Sequence, residues 1–261
     1  MRKFTDQLQR TLFLPDEPLR IVSLVPSQTE LLHYLGLEEK VVGITKFCVH
    51  PNNWFKAKTR IGGTKNIDLE KVRLLHPNLI IANKEENTKE DIENLEKIAP
   101  VWISDVRNLE DAYQMIHKIG ELLDKSIQAG LLVDEIQRKM SLIQGMGKGK
   151  RALYVIWNDP IMVAASNTYI HEMMIHLGFE NLAHEESRYP ELTLSQLVQL
   201  SPDYLLLSSE PFPFKEKHLS FFQELLPNSK ILLVDGEMFS WYGSGMLRAV
   251  SYFETWNHEL S

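Results

Sequence analysis

The chain predicts an α/β protein of two lobes, with mainly parallel sheets, joined by a long bridging helix. Three observations predict it. Short apolar runs alternate with amphipathic helical stretches along most of the 261 residues, the pattern of a parallel sheet flanked by helices. A capped helix, a proline and a buried strand occur twice, as Asp68–Ala82 and as Thr193–Leu207, and the two segments align without a gap. Between them, Asn108–Gly145 is persistently helical and free of proline.

The first strand is Arg20–Val25, ended by Pro26, and Ser27-Gln28-Thr29-Glu30 reads as a capping box opening a helix that Gly36 closes. Val41–Ile44 is the next strand, followed by the loop Thr45–Pro51. Asp68 caps a helix to Leu75, Leu79–Ala82 is a third strand, Thr88 caps the next helix, and Val101–Ile103 is a fourth strand. In the long stretch, apolar residues recur at Leu109, Ala112, Ile116, Ile119 and Leu123, then at Ile127, Leu131, Ile136, Met140 and Ile143. Asp124-Lys125-Ser126 breaks the run, with Asp124 or Ser126 as cap. The second helix, about twenty residues at 1.5 Å each, would span roughly 30 Å, enough for a strut between lobes. An ordinary pair of surface helices in one domain meets the same periodicity. Gly145-Met146-Gly147-Lys148-Gly149 ends a helix and leads into a strand, so it reads as a helix stop and linker, the reverse of a phosphate cradle. Alternation resumes with strands at Ala152–Trp157, Tyr204–Leu207 and Ile231–Val234, a helix near Ile170–Leu177, and a last helix from Leu247 to Glu259. The expected division is residues 1–123, a bridge at 124–147, and 148–261.

With 44% hydrophobic residues there is material for a real core. A net charge of −7 without a Lys/Arg block argues against nucleic acid or an anionic membrane as partner. The one cysteine, Cys48, excludes an internal disulfide. No apolar run is long enough to insert in a membrane. After Met1-Arg2-Lys3, the polar Asp6, Gln7, Gln9 and Arg10 stand where a secretory apolar run would be. The sequence as it stands is therefore expected to be cytoplasmic, or periplasmic or lipid-tethered if a leader has been removed.

Ser23–Leu32 (SLVPSQTELL), the repeated helix-Pro-strand unit and the helical bridge together resemble the class III periplasmic substrate-binding proteins, the helical-backbone metal receptors, most of all their cobalamin-binding branch. The resemblance extends over nearly the whole chain after Arg20. It implies a shallow cleft between the lobes that captures a metal chelate (cobalamin or another corrinoid, a ferric siderophore, or haem) for the permease of an ABC importer. No catalysis is implied, and the bound corrinoid or iron chelate is ligand rather than cofactor. The family docks its permease through a glutamate on each repeated helix. Glu70 stands at the first place, but Ser195 stands at the second, which weakens that docking, with Glu191 as a nearby substitute.

Candidate ligand-binding residues follow from the strand-end loops: Lys46, Cys48, His50, Thr64, Asn66, Glu86 and Asn87 in the first half, Trp157, Arg188, Tyr189, Trp241 and Tyr242 in the second. Aromatics there would stack on a flat ligand, while the polar Thr64-Lys65-Asn66 and Asn83–Asn87 point to a ligand more polar than cobalamin, or a corrinoid held by another face. Cys48 and His50, two residues apart, are capable of metal binding, so a metal-dependent enzyme or metal-binding protein is the alternative. Two ligands do not make a site, and a buried cysteine with a capping histidine, or plain cleft contact, fits equally. His171 and Glu172, opening a helix, are further cleft candidates. No GxSxG, P-loop or GxGxxG after a strand supports an enzyme.

Overall fold

The computed structural model describes residues 1–16 and 19–256; the end of the expected last helix, and His258, lie outside them. The chain clusters into two compact units. The first holds Met1–Val106, Glu110–Glu135 and Tyr242–Gly245, and the second Arg107–Leu109, Ile136–Trp241 and the residues from Met246 on. The division thus falls inside the bridging helix, and four residues near the C-terminus return to the first unit, which a split into continuous lobes does not anticipate.

The first unit opens with a hairpin, β1 (Arg2–Thr5) and β2 (Thr11–Leu14), that the sequence reading missed. The polar residues that stood against a secretory leader form its turn. Asp6 is fully buried and accepts N–H bonds from Leu8 and Arg10, both at 2.9 Å, and a 2.7 Å bond from the Arg10 guanidinium. There follow β3 (Ile21–Ser23), α1 (Pro26–Tyr34), β4 (Val41–Ile44), α2 (Asn52–Ala57), β5 (Thr59–Arg60), and the short pair β6 (Gly62–Gly63) and β7 (Asn66–Ile67). After them come α3 (Leu69–Leu74), β8 (Leu79–Asn83), α4 (Lys89–Leu95), β9 (Val101–Ser104) and α5 (Leu109–Leu122). The sheet runs β5-β4-β3-β8-β9, parallel throughout. Every residue of β8 and β9 is buried, as strands covered on both faces must be.

Asp68 and Thr88 cap α3 and α4 as expected. The α1 capping box does not form: Pro26 is already the first helical residue, because its fixed φ suits that place and it has no N–H to satisfy. The Thr29 hydroxyl instead bonds back to the Val25 carbonyl at 2.9 Å. Gly36 follows α1 with φ +71°, the left-handed closing residue.

Helix α6 (Ser126–Ile143) is separate from α5. Asp124 ends α5 rather than capping α6. Its φ is +57°, and the next N–H, of Lys125, returns to the Gly120 carbonyl at 2.7 Å, a Schellman closure. A Cβ on Gly120 would lie 2.4 Å from the Ala129 Cβ, so the two helices meet at that glycine. The expected face of α6 is buried from Ile136 on but not in its first turns. Ala129, Leu132, Val133, Ile136, Met140 and Ile143 are buried, whereas Ile127 and Leu131 are 78% and 65% exposed.

The second unit contains β10 (Arg151–Asn158), β11 (Ile161–Val163), α7 (Tyr169–His176), β12 (Glu180–Asn181), β13 (Glu191–Leu192), α8 (Leu194–Leu200) and β14 (Tyr204–Ser208). It ends with α9 (Glu216–Leu225), β15 (Lys230–Val234), α10 (Gly236–Ser240) and α11 (Met246–Thr255). Its sheet runs β13-β11-β10-β14-β15, with β12 beside the start of β10. The pairs among β10, β12, β14 and β15 are parallel, and β11 and β13 add antiparallel edges.

The repeat extends to the backbone. Thr193 caps α8 as Asp68 caps α3, and His76 and Ser201, each just before the proline, share a left-handed φ of +45°. Strands β8 and β14, which follow, are buried at all five positions.

Candidate functional site: the strand ends of each unit

Ligands of parallel α/β sheets bind outside the carboxyl ends of the strands. In the first unit these ends carry Ser23, Thr45, Asn83 and Ser104, all buried and all polar. Buried polar groups must find partners: Asn83 and Ser104 bond each other, Ser23 bonds Thr29, and Thr45 bonds Cys48. Asn83 is the hub: its Oδ1 accepts from the N–H groups of Glu85 (2.8 Å) and Glu86 (3.0 Å), and its Nδ2 donates to Ser104 Oγ at 2.9 Å. Its own N–H donates to Asn87 Oδ1 at 2.9 Å, and Asn87 Nδ2 donates to the Thr64 carbonyl at 2.9 Å. Gln28 also donates to Ser104 Oγ, while its Oε1 is left without a partner.

Asn87 and Thr64 are therefore buried supports, and Lys46, Asn66 and Glu86 are the exposed members of the predicted set. Lys46 Nζ lies 5.0 Å over the ring of Phe47, itself 49% exposed. Glu86 is open to solvent, yet the surrounding protein raises its carboxyl above the ordinary range, with Glu85 adding to the rise and Lys65 opposing it.

Cys48 is fully buried, its Sγ 3.1 Å from the hydroxyls of both Thr29 and Thr45, and Thr29 in turn lies 2.8 Å from the Ser23 hydroxyl. Burial pushes the thiol up, against those hydrogen bonds, so it stays neutral, whereas a metal ligand must be a thiolate. His50 is half-buried, so the two side chains do not emerge together. Among the described residues no group of three or more His, Cys, Asp and Glu side chains could hold a metal.

Tyr242 belongs to the first unit and is buried there. Its hydroxyl bonds Ser104 and Ser27, and burial, followed by the nearby Glu86, holds it well above the usual tyrosine range. A tyrosine so enclosed supports the strand ends and offers no stacking face.

The second unit presents a different chemistry. Trp157, at the end of β10, is 39% exposed, donates from Nε1 to the Asp159 carbonyl at 3.0 Å, and meets Phe212 edge-on at 5.6 Å between centroids. Trp241 is buried. Its Nε1 donates to Glu210 Oε1 at 3.0 Å, which also accepts from Ser240 Oγ at 3.1 Å, and the Arg248 guanidinium sits 5.7 Å over its ring. Arg248 pairs with Glu237 at 3.3 Å. Arg188, exposed and at φ +65°, holds its backbone to Ala165 and Ser166, with its guanidinium 5.9 Å from the half-buried Tyr189 ring. His171 on α7 is part-buried beside Asn181.

Sequence reasoning placed Asn83 in a ligand loop without seeing it as the hub, and missed Gln28, Ser104, Phe212, Glu210 and Arg248. A signal existed for Glu210: extending the repeat by three residues sets Ser208 on Asn83 and Glu210 on Glu85. On the repeated helices, Glu70 is exposed and paired with Arg73, Ser195 is exposed on α8, and Glu191 is exposed on the edge strand β13.

Residues 21–229 match the model of the Periplasmic binding protein family. The chain belongs to that family. Its members bind solutes rather than transform them, which removes the enzyme alternative. The chain is 28% identical over 212 residues to an uncharacterized ABC transporter substrate-binding lipoprotein, YvrC, of Bacillus subtilis, covering 77% of this chain and 67% of that one. It is 23% identical over 204 residues to a vitamin B12-binding protein of Vibrio parahaemolyticus, covering 76% and 74%. The petrobactin-binding protein YclQ of Bacillus subtilis shares the fold with a TM-score of 0.81 at 18% identity, over 100% of this chain and 98% of that one. A family of periplasmic proteins and a lipoprotein relative give the cytoplasmic expectation no support.

Proposed function

We propose that this protein, exported or tethered at the cell surface, captures a metal chelate (a corrinoid, a ferric siderophore or haem) and hands it to an ABC importer. The observation that carries the reading is the repeat itself: two α/β units with matched backbones, each with candidate ligand-contacting groups at its parallel strand ends. The vitamin B12-binding and petrobactin-binding relatives support the ligand class. Trp157 and Tyr189 are the stacking groups of this reading, and Lys46, His50, Asn66, Glu86 and Arg188 the polar ones. Cys48, Thr64, Asn87, Trp241 and Tyr242 act by holding loops in place. Permease docking rests on Glu70, with Ser195 contributing no charge and Glu191 alongside it.

The test is tryptophan fluorescence during titration with cyanocobalamin, haem and a ferric siderophore in turn. Saturable quenching by one of them is expected, and Trp157→Ala should weaken it by about 1 kcal/mol. Absence of quenching by all three defeats the reading.

A further inference from the structure

We infer that His171 and Asn181 form an acid-sensitive lock on the loop that carries Arg188 and Tyr189. Asn181 is fully buried and its amide cannot turn over. Nδ2 donates to the Ala164 carbonyl at 2.9 Å, and Oδ1 accepts the Ala183 N–H at 3.0 Å. The remaining Nδ2 hydrogen faces His171 Nδ1 at 3.0 Å, so that nitrogen must be an unprotonated acceptor. His184 is tied to the same residue with the opposite requirement: its Nδ1 lies 2.9 Å from the Asn181 carbonyl and must donate. Protonation leaves the His184 bond intact. At His171 it sets N–H against N–H.

What the lock holds is continuous with the candidate ligand loop. From Ala164 the chain runs to Ala165, whose N–H bonds the Arg188 carbonyl at 2.8 Å, and to Ser166, whose carbonyl accepts the Arg188 N–H at 2.8 Å. Ser166 Oγ bonds the Glu186 carbonyl, and the Val163 N–H bonds the Pro190 carbonyl at 3.1 Å. The groups acting on His171 are Glu172 of its own helix, which favours the cation, and His184 of the loop, which opposes it; burial, the largest influence, lowers its pKa below 6.5. Of the elements packed on α7, β12 carries the exposed Glu180, and α10 carries Glu237, held by Arg248. With the folded value lowered, the lock is complete above the ordinary histidine pKa and is lost as pH falls through the folded one. Acid thus loosens residues 182–190, and, if these contact the chelate as proposed above, weakens its retention.

Hydrogen exchange of the ligand-free protein tests the lock, corrected for intrinsic rates, at about pH 7 and about pH 5, either side of the histidine range. The amides of Ala165, Ala183 and Arg188 should lose roughly tenfold protection in acid, the scale of one buried hydrogen bond. His171→Gln, which can accept from Asn181 but not titrate, should keep protection at both pH values, and His184→Gln should retain the wild-type response. A wild-type protein without the acid loss, or a His171→Gln protein that shows it in full, overturns the lock. So does a protonated His171 Nδ1 seen by nitrogen NMR at neutral pH. In a parallel titration, cyanocobalamin affinity should fall in acid for wild type and not for His171→Gln. If cyanocobalamin does not bind at either pH, haem and the ferric siderophore are titrated in its place; no binding of all three counts against the proposed function and leaves the exchange result to judge the lock.

Discussion

The strand ends of the two units grow from the same repeated backbone and are finished in opposite ways. In the first unit the hub is a neutral amide, Asn83, buried among Gln28, Ser104 and Asn87, and the carboxylate of Glu86 is open to solvent. In the second the hub is a carboxylate, Glu210, turned inward to Trp241 and Ser240, and an aromatic, Trp157, is left accessible. A duplicated helix-Pro-strand unit therefore fixes where a loop begins, and the residues just beyond the strand decide which chemistry it shows. Neutral amides suit the deeper hub because a buried charge needs a compensating partner, whereas an amide needs only hydrogen bonds.

Mutations in the two hubs probe this contrast directly. Asn83→Ala should have the largest effect, about 3 kcal/mol of stability in chemical denaturation, because it strands the N–H groups of Glu85 and Glu86 and removes one of the bonds to Ser104. A loss near zero would mean that solvent replaces the hub. Arg10→Ala comes next at about 2 kcal/mol, since Asp6 would keep its burial but lose its cation; an effect equal to that of Arg2→Ala, at the exposed Arg2–Asp124 pair, would rank the hairpin turn as surface. Gly120→Ala should cost between about 1 and 3 kcal/mol by forcing α5 and α6 apart, measured by thermal melting, and a neutral result would dismiss the Ala129 contact as the feature that orients α6. Smallest is Trp241→Phe, roughly 1 kcal/mol for the lost Glu210 bond. If it matched Asn83→Ala instead, the two hubs would be equal in weight and the contrast would fail.

The legible and the illegible parts of the molecule separate along physical lines. Asp68, Thr88 and Thr193 cap the helices assigned to them, because a cap is decided by residues three apart. The buried strands β8, β9 and β14 are legible from apolar runs alone. The β1–β2 hairpin is not, since Lys3, Thr5 and Thr11 interrupt the runs and its turn depends on Arg10 reaching the Val101 carbonyl, 91 residues away, at 2.7 Å. At the candidate site, position along the chain located the loops around Lys46, Glu86, Trp157 and Arg188, but not which side chains face solvent. Cys48, Asn87, Trp241 and Tyr242 look like binding residues in sequence and are enclosed in the fold.

By itself the sequence determined the α/β class, the internal repeat, the break at Asp124–Ser126 and the family, because each rests on local periodicity, caps or motifs. Tertiary structure alone decided the face that α6 buries, the return of Tyr242–Gly245 to the first unit, the neutral state of Cys48 and the pinning of His171 by Asn181. Each of these depends on residues of different elements meeting at hydrogen-bond or van der Waals distance, and on the loss of water that such meetings impose.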